Sequence, residues 1–259
     1  MKLLMIGDVF GEPGRQLLDS HLLLLRTELA VDYVIVNGEN AAHGKGITED
    51  IARHWFDHLG VDVITTGNHA FDVKGIEKYF DREPRILRPL NYPPHTPGQG
   101  AYTLRSSSAG PLLVLNIMGR VHMPPCDDPF RAFDQALAHT EAAATLVDMH
   151  AEATSEMQAM GWHVDGRAAA VLGTHTHVPT LDLKILPGGT AFVSDIGMTG
   201  AYAGVIGMDK EASLERFYTG RPVRFSVAQG DPQLHAIYVE IQGSKAVKAE
   251  RIVRQSLLK

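Results

Sequence analysis

The chain has 259 residues and a formal net charge of -6, with 44% hydrophobic and 21% charged residues. This is ordinary globular composition; it excludes a grip on nucleic acid through a broad basic face but leaves room for a small or single-stranded phosphate substrate. Cys126 is the one cysteine, so no intrachain disulfide forms, and no apolar run approaches the ~20 residues that span a membrane. The first apolar stretch is too short for a signal peptide and is broken by Asp8, so the expected compartment is the cytoplasm.

Short apolar runs alternate with helical patterns. Residues 2–6 read as a buried strand, then come a glycine-rich turn and a helix over about 15–29. A second strand (33–36) and a second helix (50–59, with Thr48 as N-cap) follow, then a third strand (61–65). Two β-α units and a further strand predict a layered α/β sheet. The proline- and glycine-rich run 91–100 is a loop. Strands are expected at 101–104, 112–116, 145–149 and 168–172, and helices at 129–139 and 151–160. The segments 181–186, 190–194, 235–241 and 246–253 suit antiparallel or mixed strands. The expectation is one domain, with residues 70–130 as the place for a small cap.

Polar residues gather just after the predicted strands. Asp8 follows the first, Glu39 and Asn40 the second, and Asn68 and His69 the third. His150 ends a later strand, and His175 and His177 follow another. Ligand sites in α/β sheets lie outside the carboxyl ends of strands, so five segments are expected to deliver oxygen and nitrogen donors to one rim. In an extended loop, the i and i+2 spacing of His175 and His177 places both rings on one side. Carboxylate, amide and imidazole without thiolate suit Fe, Mn, Zn or Mg. Asp8 and Glu39 supply two negative charges against four on two divalent ions. The excess would bind a phosphate and lower the pKa of a bound water.

The blocks Gly67-Asn68-His69 and Gly173-Thr174-His175-Thr176-His177 resemble the GNH and GHxH blocks of calcineurin-like metallophosphoesterases. With Gly7-Asp8-Val9-Phe10-Gly11, Asn37-Gly38-Glu39-Asn40-Ala41-Ala42 and Asp148-Met149-His150-Ala151-Glu152, the chain is similar over nearly its whole length to the YmdB-like branch. The resemblance implies a four-layered α/β sandwich, a di-metal centre with iron foremost, and action on 2′,3′-cyclic nucleotides. It implies one metal held by Asp8, Glu39, Asn40 and His177, and a second by Glu39, Asn68, His150 and His175. A hydroxide activated between them would attack phosphorus while His69 acts as general acid, with Asp72 a candidate to orient it. The first block usually reads Asp-x-His and here lacks that histidine, Phe10 standing there, and Glu39-Asn40 replaces the usual bridging aspartate. Both departures match the YmdB-like branch. RNA ends are an alternative substrate, and the resemblance leaves a homo-oligomer open.

The plainer readings are weighed alongside. Alone, Asp8 is as readily a cap, Asn68 a turn residue and His150 a structural histidine; the convergence carries the metal reading. His54 and His58 have the i, i+4 spacing of a zinc pair, but no glutamate follows His54 and Trp55-Phe56 marks a packed helix. Gly7, Gly11 and Gly14 lack dinucleotide-motif spacing. Lys45, in Gly44-Lys45-Gly46, is a candidate phosphate contact, with a solvated loop lysine as the plainer reading. The competing functions are a phosphomonoesterase or nucleotidase on the same centre, and a non-catalytic metal- or nucleotide-binding regulator.

Overall fold

The computed structural model describes residues 1–105 and 109–255. The chain begins β1 (Lys2–Ile6), α1 (Gly11–Glu28), β2 (Tyr33–Asn37), α2 (Glu49–His58), β3 (Val63–Thr65), α3 (Glu77–Arg82) and β4 (Ile86–Leu87). It continues through β5 (Ala101–Leu104), β6 (Leu112–Met118), α4 (Pro129–Ala138), β7 (Ala144–His150), α5 (Thr154–Val164) and β8 (Ala170–Thr174). The last elements are β9 (Lys184–Ile185), β10 (Ala191–Val193), β11 (Gly200–Ala201), α6 (Lys210–Thr219), β12 (Pro232–Gln242) and β13 (Lys245–Gln255).

These strands form two mixed sheets. One has seven strands in the order β11-β12-β1-β2-β3-β4, with β13 paired to β12; the other has six, β5-β6-β7-β8-β10-β9. The central strands β1 to β4 run parallel, as do β6, β7, β8 and β10. Strand alternation explains the layers. Leu3 and Met5 of β1 point into the core between the sheets, with Leu112, Val114, Leu146 and Leu172 opposite. Leu4 and Ile6 point the other way, onto Leu18 and Leu22 of α1 and Trp55 of α2. On the far side, Val147 and Val171 meet Phe133 of α4 and Met157 and Met160 of α5. Helix, sheet, sheet and helix make the four-layered α/β sandwich. From Leu3 to Ile6, β1 is apolar because both its faces are covered. Among the described residues no helix is long and apolar enough to cross a membrane.

Several boundaries differ from the sequence reading. α1 starts at Gly11 rather than near residue 15, because Phe10 is still extended and Pro13 suits a first helical turn. α5 starts at Thr154, not 151, because His150 still belongs to β7 and the Ala151 N–H is used by the Thr174 carbonyl at 3.3 Å. The strand expected at 181–186 shrinks to Lys184–Ile185. The elements α3, α6, β4 and β11 are additions to the pattern the sequence predicts.

The N-cap of α2 is as expected: Thr48 Oγ1 accepts from the Ile51 N–H at 3.2 Å. Thr48→Ala should cost about 1 kcal/mol, read as a fall in Tm of about 2–4 °C with catalytic activity retained.

Candidate functional site

Five segments meet at the carboxyl ends of β1, β2, β3, β7 and β8. Asn37, the last residue of β2, stitches the two sheets together beneath the site. Its Nδ2 donates to Asp148 Oδ2 on β7 (2.9 Å) and Thr174 Oγ1 on β8 (3.3 Å), while its Oδ1 accepts the Glu39 N–H (3.0 Å). All three side chains are buried, so this network holds the sheet ends in one register.

On that floor the seven expected donors form one connected set. Glu39 Oε2, Asn68 Oδ1 and His175 Nδ1 lie 3.2, 3.2 and 3.1 Å from His150 Nε2. Asn40 Oδ1 and Asp8 Oδ1 lie 3.2 and 3.9 Å from His177 Nε2. Asp8 Oδ2 accepts the His175 N–H at 3.3 Å and joins the halves.

Two of these imidazoles, His177 and His150, are tied by their outer nitrogens. His177 Nδ1 donates to the Ile206 carbonyl at 2.8 Å, which can only accept. His150 Nδ1 donates to Thr174 Oγ1 at 2.9 Å, since that hydroxyl gives its own proton to Asp148 Oδ1 at 2.6 Å. His175 Nε2 faces Glu152 Oε2 at 3.2 Å. The inward nitrogens of His175 and His177 are left bare, while that of His150 faces Glu39. The Asn40 amide Nδ2 donates to the Gly44 carbonyl at 3.0 Å, which aims its oxygen inward too.

Lone pairs thus converge on lone pairs. Burial and the charge of His150 hold His175 down to about 3, and burial lowers His177, so both are neutral. At His150 the carboxylates of Glu39, Asp8 and Asp148 outweigh burial and lift the imidazole to about 9, so a proton on Nε2 answers some of these contacts. It does not answer Asn40 Oδ1 against His177 Nε2. Asp8 Oδ1 and Glu39 Oε2 are also buried without a hydrogen-bond donor; the latter approaches His150 in a geometry that makes none. Burial raises Asp8 to about 7 against the pull of His150. At Glu39 burial is outweighed by His150 and His69, and its carboxyl sits below the usual range. Orphaned buried carboxylate oxygens are expensive unless a cation meets them. Among the described residues no three His, Cys, Asp or Glu side chains form a metal-holding group by themselves; each half of this set is completed by an amide oxygen. Hard oxygen and borderline nitrogen donors fit divalent ions.

The loop bearing His175 and His177 is not extended, contrary to the expectation from their spacing. Both take left-handed backbone, φ 103° and 65°, which is strained for residues with a Cβ. Even so, both rings turn into the same set, His175 towards His150 and His177 towards Asn40. Asp195 pins the loop, accepting from Thr176 N–H (2.9 Å), Thr176 Oγ1 (2.8 Å) and Gly197 N–H (2.7 Å). Asp195 has no sequence signal beyond following a strand. Asp148 could have been suspected, standing two residues before His150 on one strand face; Glu152 lay within a recognised block without a role.

A cavity of about 400 Å³ opens over this floor, lined among others by Glu39, Lys45, His69, Glu152, His175 and Met208. The His69 N–H donates to Glu39 Oε1 at 2.7 Å, and its ring Nδ1 lies 2.8 Å from Asp72 Oδ2. His54, by contrast, contacts Asp19 at 2.7 Å, remote from the rim. The larger cavity, about 550 Å³, is lined by Asn91, Asp127, Asp128 and Arg131 and holds none of the expected site residues.

Residues 4–253 match the family described as YmdB-like protein. The chain belongs to the YmdB-like family. A Bacillus subtilis (strain 168) protein named 2′,3′-cyclic-nucleotide 2′-phosphodiesterase is 48% identical over 257 residues, covering 98% of this chain and 97% of its own length. A putative phosphatase/phosphodiesterase of Mycoplasma pneumoniae is 34% identical over 263 residues, covering 97% of this chain and 92% of its own. The crystal structure of a hypothetical protein from Thermus thermophilus matches with a TM-score of 0.93 at 46% identity, covering 98% of this chain and 99% of that one. That of a novel Mycoplasma pneumoniae phosphatase matches with a TM-score of 0.93 at 32% identity, covering 98% and 93%. In this YmdB-like chain Phe10, at the position of the wider superfamily's histidine, packs edge-on to His177 with centroids 5.4 Å apart. Asn40 supplies the polar atom beside that ring.

Proposed function

We propose that the chain is a metal-dependent phosphodiesterase that opens 2′,3′-cyclic nucleotides at the 2′ oxygen. The observation that carries this reading is the convergence of bare imidazole nitrogens, amide oxygens and donorless carboxylate oxygens beneath an open cavity. The name of the Bacillus subtilis relative supports the substrate class. Asp8, Glu39, Asn40 and His177 would hold one ion, and Glu39, Asn68, His150 and His175 the other. Bound there, the ions supply positive charge for the phosphate and acidify water. Ring opening leaves a ribose alkoxide, a poor leaving group that needs a proton. His69 lines the cavity, and Asp72 on Nδ1 leaves Nε2 to carry that proton. Lys45 adds a cation on the same wall for the phosphate.

Protein purified without added metal should contain about two equivalents of a transition metal, iron foremost, by elemental analysis, and should hydrolyse 2′,3′-cyclic AMP. Full metal with no turnover of any phosphoester would make it a binder instead. The Mycoplasma relative's name also includes phosphatase, so bis-p-nitrophenyl phosphate and p-nitrophenyl phosphate should be assayed in parallel, with the diester expected to be preferred. His69→Ala should retain metal and lose about a hundred-fold or more in turnover of the cyclic nucleotide, while the activated diester suffers much less. Equal loss on both substrates would rule out the acid assignment.

A further inference from the structure

Beside the cavity, the chain makes an excursion that the proposed chemistry leaves unused. It departs at Met208, which lines the cavity, and returns at Val227, which pairs with Met208 in an antiparallel bridge; the Asp209 N–H donates to the Ser226 carbonyl at 2.9 Å. Between these pins lie α6 and a loop. Asp209 caps α6 through the Ala212 N–H (3.0 Å), so this is an ordered arm fixed at the rim.

The arm's surface is unusual for an acidic protein. Phe217 and Tyr218 are 80% and 82% exposed, and Phe225 is 44% exposed. Residues 216–230 include three arginines, Arg216, Arg221 and Arg224, and no acidic residue. All three are exposed, and none pairs with a carboxylate among the described residues; Arg216 reaches only the Gly220 carbonyl at 3.3 Å. Acids do occur earlier on the helix: Glu211 pairs with Lys210 at 3.7 Å, and Glu215 lies one residue before the strip. The rings of Phe217 and Tyr218 bury little core, and Arg221 and Arg224 form no ion pair among the described residues. Together they are what a single strand of nucleic acid requires: flat faces for bases and cations for phosphates. An α-helix of this length reaches about 15 Å, enough for a few nucleotides beyond the cavity.

We infer that residues 216–225 are a docking strip for the single-stranded tail of an oligoribonucleotide whose cyclic-phosphate end occupies the cavity. This rests on the phosphodiesterase reading and extends it from free nucleotides to RNA ends. The charge complementarity lies in a local strip of arginines facing a polyanion.

The test compares 2′,3′-cyclic AMP with an oligonucleotide of about six residues ending in a 2′,3′-cyclic phosphate, on wild type and on the double variants Phe217→Ala/Tyr218→Ala and Arg221→Ala/Arg224→Ala. The oligonucleotide should show a KM at least about ten-fold below that of the mononucleotide. Either variant should abolish that advantage while leaving mononucleotide kinetics unchanged, and the arginine variant should flatten the salt dependence. Equal KM values for the two substrates, or variants that keep the advantage, overturn the inference. So does a change from dimer to monomer in the aromatic variant with unchanged oligonucleotide KM, which would make the strip an interface between copies. Fluorescence anisotropy with a labelled oligouridylate needs no turnover. Strip-dependent binding without hydrolysis of either cyclic phosphate would refute the phosphodiesterase reading while sustaining the strip.

Discussion

Glu39→Gln is expected to remove metal and activity together. Glu39 touches both the cavity wall and the centre of the set: Oε1 takes the His69 N–H at 2.7 Å and Oε2 faces His150 Nε2 at 3.2 Å. The amide keeps the shape but removes one of the two negative charges that Asp8 and Glu39 contribute, and it places an N–H₂ donor on one side. If that donor faces the centre it repels a cation; if it faces outward it opposes the His69 N–H. Substitutions one shell further from a metal typically cost 10–100-fold in affinity or activity, so a loss of about a hundred-fold or more is expected here. Elemental analysis and 2′,3′-cyclic AMP turnover should fall in parallel while circular dichroism is unchanged. Wild-type metal content in the variant would contradict the bridging role.

Gly67→Ala should be comparably damaging for a different reason. A Cβ at this position would fall inside van der Waals contact of Glu39 Oε2 and of the His150 ring at Cδ2 and Nε2. Both neighbours are buried and anchored, so they cannot yield freely. Overpacking of this kind costs about 1–3 kcal/mol in stability. The methyl group also pushes apart the two donors without altering their charge. Metal content is therefore expected to fall less than turnover, which should drop by about a hundred-fold, because a misplacement near 1 Å suffices for that. Wild-type kcat/KM would show that the donors move aside at no consequence. The contrast between the variants separates charge from geometry: one loses metal and activity together, the other loses activity out of proportion.

Much of the fold was legible locally. The apolar run Leu3–Ile6 of β1 announced a strand covered on both faces, and the β-α alternation announced layers. The candidate site residues stood out for a related reason: glycines and polar residues interrupt apolar runs where strands end, as at Asp8, Glu39, Asn68 and His175. The helix α6 and the short strand β11 were not legible, because their residues are largely solvated or very few, and burial leaves no periodic trace there.

The sequence by itself determined which donor types are present, their strand-end positions and the family to which the chain belongs. These follow from local apolar patterning and from short blocks. Only the tertiary structure decided which donors meet. Asn37, Asp148 and Thr174 come from three strands in two sheets, and their buried hydrogen bonds set the floor on which His150 is aimed. The left-handed backbone at His175 and His177 is likewise held from elsewhere, by Asp195 in the loop after β10. Such contacts depend on long-range packing that overrides local preference, and spacing along the chain carries no record of it.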